Sequence, residues 1–93
     1  MNNLLISYDL YKPDRDYTDL FARIKSLGAE WAHLKLTLWF VKSNMDAATA
    51  RDRVWDIMQP QDKLIVINAS ANAAAWYGLD ATASEYLRTH WVN

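Results

Sequence analysis

The chain has no cysteine among its 93 residues. That excludes disulfides and thiolate metal sites, and it is the composition expected of a reducing, cytoplasmic setting. Glycine and proline are scarce, with two of each. Gly28 and Gly78 lie far apart, so no Gly-rich phosphate loop is present, and neither is a linker or low-complexity segment. No apolar run approaches the ~20 residues of a membrane-spanning helix. The N-terminus lacks the basic-then-apolar pattern of a secretory signal, so no membrane partner is expected. Charge is nearly balanced at −1, which denies the chain a strong overall field for nucleic acid. A local cluster of Lys and Arg is the remaining electrostatic route to phosphate.

What is abundant is apolar and aromatic. Hydrophobic residues make up 52%, with five Trp, five Tyr and two Phe. A chain of this length is expected to form a single domain over residues 1–93. So many rings fit only partly inside a small core, which places some of them either at its rim or at an interface.

Leu4-Leu5-Ile6-Ser7-Tyr8-Asp9-Leu10 is the central motif. Residues 3–10 read as a strand that is apolar on both faces near its start, as a central strand is. It ends in a carboxylate and a polar loop containing Pro13. Tyr17, Leu20, Phe21, Ile24 and Leu27 recur at helical spacing, predicting a helix over 17–27 capped by Asp16 or Thr18, with Gly28 as its C′ residue. Residues 30–36 alternate and 38–43 are apolar, giving either one bent strand or two strands joined very tightly. Ala47, Ala50, Val54, Ile57 and Met58 form the stripe of a second helix, capped by Asn44 or Asp46 and ended by Pro60. Residues 63–68 read as a buried strand. Trp76-Tyr77-Gly78-Leu79 forms a compact patch, either a short strand or a turn. Residues 82–91 read as a helix with Thr82 as cap. The expected fold is therefore α+β: a ferredoxin-like β-α-β-β-α-β antiparallel sheet with two helices on one face, plus a C-terminal segment ending in a helix.

Leu5-Ile6-Ser7-Tyr8-Asp9-Leu10, followed by a polar loop and a helix, resembles the small subunit of the CRISPR adaptation complex. Residues 32–41 are similar to that family's second and third strands. Tyr8-Asp9-Leu10, Arg15-Asp16-Tyr17, Ile24-Lys25-Ser26-Leu27-Gly28, Trp31, His33, Thr37, Trp39, Val41 and Ala75-Trp76 resemble the small bacterial and phage proteins labelled SinR-family. The resemblance implies a homodimer associated with nucleic acid and a metal-dependent nuclease activity, with Asp9 as catalytic residue and metal ligand for Mg²⁺ or Mn²⁺. The chain differs in lacking strong basic character and in ending with a helix where that family has a strand crossing to its partner. Occurrence in phages implies an alternative: a non-catalytic adaptor or inhibitor whose partner is a protein of a defence system.

The residues admit several chemistries. Asp9 either contributes to a hard-oxygen metal site or accepts backbone N–H bonds from its own loop. Lys12 and Arg15, and Arg51 or Arg53, are candidate phosphate contacts, or solvated charges among Asp14, Asp16, Asp52 and Asp56. His33 is either a general acid or base or a structural histidine. Trp39, Trp55, Trp76 and Trp91 either stack on unpaired bases or pack in the core or a dimer contact. Trp39, Trp76 and Tyr77 are the expected interface residues.

Overall fold

The computed structural model describes residues 1–12, 16–70 and 74–91. Its elements are β1 (Asn2–Asp9), α1 (Thr18–Lys25), β2 (Glu30–Lys35), β3 (Leu38–Ser43), α2 (Ala47–Trp55), β4 (Lys63–Asn68) and α3 (Ala81–His90). The strands form one antiparallel sheet in the order β2-β3-β1-β4. This is an α+β architecture with three helices.

Alternation along β1 divides the core in two. Leu4, Ile6 and Tyr8 point to the inner face, where they meet Leu20, Ile24 and Leu27 from α1 and its exit and Ala50 and Val54 from α2. Trp39 and Val41 of β3 complete that cluster. Burying each such aliphatic side chain contributes roughly 1.5–3 kcal/mol. On the outer face Phe40, Ala32 and Leu87 are buried together, with Leu5, Leu34, Trp76, Leu79, Tyr86 and Trp91 packed around them. α3 thus covers the β2–β3 half of the outer face.

The two strands over 30–43 are separate, joined at Leu36-Thr37 with a register shift between His33 and Lys35. The Tyr8 hydroxyl donates to Leu36 O at 2.8 Å, and Trp39 Nε1 donates to the Tyr8 hydroxyl at 3.2 Å, so this turn is tied to the central strand. Asp46 caps α2 by accepting from Thr49 N at 2.7 Å, which lowers the pKa of its carboxyl.

Several expectations are corrected. β4 is an edge strand, not a buried one. Leu64 and Val66 pack inward, but Ile65 and Ile67 on the outer face are 55% and 47% exposed, because α3 does not reach them. The cap of α3 is Asp80 rather than Thr82, its carboxylate accepting from Ala83 N at 2.7 Å. Of the two readings of Trp76 to Leu79, the turn holds and the strand does not: the chain bends at Tyr77-Gly78, with Gly78 at φ +79°. Asp16 turns the chain into α1 through Thr18 N and Oγ1, while the N-cap position is Tyr17. Gly28 is not a left-handed C′ residue. It is required because a Cβ there would overlap the Lys42 carbonyl oxygen and lie 3.0 Å from Val41 Cγ1.

Candidate functional site

Asp9 closes β1 at the uncovered end of the outer face. Its register partner on β4 is Lys63, and Ser7 stands opposite Ile65. Ser7, Tyr8, Asp9, Lys63, Leu64 and Ile65 line a shallow cavity of about 130 Å³. The Asp9 side chain is exposed and makes no hydrogen bond or ion pair among the described residues.

The loop amide that Asp9 was a candidate to accept goes elsewhere. Tyr11 N donates to Asp62 Oδ1 at 2.8 Å, and Gln59 N donates to Asp62 Oδ2 at 2.8 Å. Asp62 is buried, so it is this carboxylate that fastens the exit of β1 to the turn before β4. Sequence reasoning missed it. The Gln59-to-Asp62 spacing is a local turn signal, but the contact with Tyr11 spans 51 residues. Tyr8, adjacent to Asp9 in sequence, packs into the inner cluster, where burial raises its hydroxyl pKa and the Trp39 N–H bond only partly offsets this.

Among the described residues no three His, Asp or Glu side chains converge. Asp9 supplies one carboxylate, and Mg²⁺ is held in octahedral sites by one or two carboxylates together with waters and phosphates.

The remaining residues separate. Lys12 is exposed beside the β1 exit, and Arg15 lies outside the described residues. Arg51 pairs with Asp52 at 2.9 Å, and the Arg53 carbonyl accepts from Arg23 Nη1. His33 is structural: its ring stacks on Trp39 at 3.9 Å with Phe21 edge-on, and Nε2 lies 3.1 Å from Leu36 O, an acceptor that requires the proton on that nitrogen. Trp39, expected at an interface, is 1% exposed and belongs to the core, because α1 closes over it. Trp76 is half-buried, with Nε1 donating to Ser84 Oγ at 2.9 Å, whereas Tyr77 is fully exposed. No helix among the described residues is long and apolar enough to cross a membrane.

No protein-family model matches the chain, and no curated protein matches it either.

Proposed function

We propose that the chain is a ferredoxin-like protein that self-associates and acts on nucleic acid, with Asp9 contributing to a divalent-metal site shared by two copies. The fold part is supported by the order β2-β3-β1-β4 with α1 and α2 on one face, an arrangement compatible with two split βαβ units. The functional part rests on one observation: Asp9 is a carboxylate at the end of a central strand that no donor among the described residues uses, while Asp62 accepts the Tyr11 amide.

A two-fold contact through the uncovered β1–β4 half of the outer face would be self-complementary and would supply a second Asp9. Ile65 and Ile67 offer apolar area for it. Mg²⁺ or Mn²⁺ held there would polarise a phosphoryl oxygen and acidify a bound water. The chain's own contribution is to present Asp9, and to draw phosphate with Lys63 beside it and Lys12 at the exit of β1.

The test is cleavage of labelled RNA and DNA with Mg²⁺ or Mn²⁺ by wild type and Asp9→Ala. Metal-dependent cleavage that the variant loses supports the reading, and equal traces end the catalytic claim. The fully exposed Tyr77 beside half-buried Trp76 favours a second reading, a non-catalytic adaptor or inhibitor of a defence complex. Under that reading a tagged chain retains a defence-system protein through washes, and Tyr77→Ala releases it.

A further inference from the structure

A second cavity, of about 600 Å³, lies between the C-terminal part of α2 and the start of β4. It is lined by Arg51, Asp52, Trp55, Asp62, Lys63 and Leu64, and its size lies within the ~300–1,000 Å³ of small-ligand sites. We propose that it binds one nucleotide of a single strand, with the base on Trp55 and the phosphate between Arg51 and Lys63. This rests on the nucleic-acid reading above and names the substrate class for it.

Three features carry the assignment. First, Arg51 and Trp55 are four residues apart on α2, which puts them on one helix face. Trp55 is 40% exposed and stacks on no other ring among the described residues. The other indoles are engaged: Trp31 carries Lys25 Nζ 4.6 Å from its ring centre, Trp39 is buried, Trp76 is hydrogen-bonded, and Trp91 lies against Phe40 at 5.4 Å. An open indole face is what an unpaired base stacks on.

Second, both acids that line the cavity already have donors of their own. Asp62 is buried and accepts two backbone N–H groups. The Arg51–Asp52 pair is exposed on both sides; such pairs are weak, and the guanidinium can turn to a phosphodiester, whose oxygens it meets bidentately. Lys63 makes no ion pair among the described residues. Third, Lys63 and Leu64 line both this cavity and the one holding Asp9. A strand anchored on Trp55 would therefore lead past Lys63 to Asp9.

The experiment is fluorescence anisotropy of a short fluorescein-labelled oligothymidylate with the full chain in EDTA, where no metal-dependent cleavage occurs. Trp55→Ala is expected to weaken binding roughly ten-fold, with Trp55→Phe retaining most of it. Trp31→Ala, which removes an indole outside the cavity, is expected to change nothing. Lys63→Ala should lower the slope of log affinity against log salt by about 0.7, the single-strand value for one phosphate contact. Its readout stands independently should Trp55→Ala fail to fold. Duplex of the same length should compete poorly, because its bases are already stacked. Binding that Trp55→Ala and Lys63→Ala leave unchanged overturns this site while nucleic-acid association stands. No binding by wild type overturns both.

Discussion

Alanine at Gly28 would put a methyl group where the Lys42 carbonyl oxygen sits. The obstacle is strand backbone, so relief requires β3 and the exit of α1 to separate. Overpacking of this kind costs about 1–3 kcal/mol. The separation also strains the buried bond from Ser43 Oγ to Leu27 O, 2.6 Å long and beside the clash, worth about another 1 kcal/mol. Against this, alanine reduces unfolded-chain entropy by only about 0.4–1 kcal/mol. The net expectation is a loss of about 1–4 kcal/mol, a large share of the roughly 5–15 kcal/mol of a typical domain. Urea unfolding should show a lower midpoint with an unchanged slope. Gly78→Ala is the control: φ is +79° but nothing lies within 4 Å of the added Cβ, so only backbone strain of about 1–2 kcal/mol applies. A Gly28→Ala protein as stable as wild type would refute the close-approach account.

Two further substitutions test the polar groups around the core. The Tyr86 hydroxyl is buried without a hydrogen-bond partner among the described residues, and burial, then the negative charge of Glu30, pushes its pKa up to about 12. A raised folded-state value stabilises the protein fully below the ordinary 10.0, and that contribution is lost as pH rises from there towards 12. Tyr86→Phe should flatten this alkaline loss in urea midpoints and add about 1 kcal/mol near neutrality, where it removes an unpaired buried group. Asp62→Ala leaves two backbone N–H groups without their acceptor. It should cost about 2–3 kcal/mol and raise amide exchange at Tyr11 and Gln59.

Where one element's own residues decide the outcome, the sequence was legible. The stripe from Leu20 to Leu27 marked the inner face of α1, and Asp46, one of the two candidate caps beside Asn44, starts α2. Strand β4 was misread because Leu64-Ile65-Val66-Ile67 is apolar on both faces, and the pattern does not say which face another element reaches. α3 stops at the β2–β3 half, held at its end by Asn3 Nδ2 donating to Trp91 O at 3.1 Å, and that contact spans nearly the whole chain. Gly28 likewise carries no local sign of the strand that approaches it. In the candidate site, Asp9 was visible as a strand-end carboxylate. That its loop would be held by Asp62 instead was invisible, being a long-range hydrogen bond. Arg51 and Trp55 were separately noticeable, and only the packing of α2 beside β4 joins them to Lys63.

The shared-site claim is tested most directly by mixing wild type with Asp9→Ala after brief unfolding and refolding together, and measuring Mn²⁺-dependent cleavage as the wild-type fraction is varied. If each metal needs Asp9 from two copies, mixed pairs are inactive and activity follows the square of the wild-type fraction. Activity that falls only in proportion to that fraction, or cleavage by Asp9→Ala alone, contradicts it.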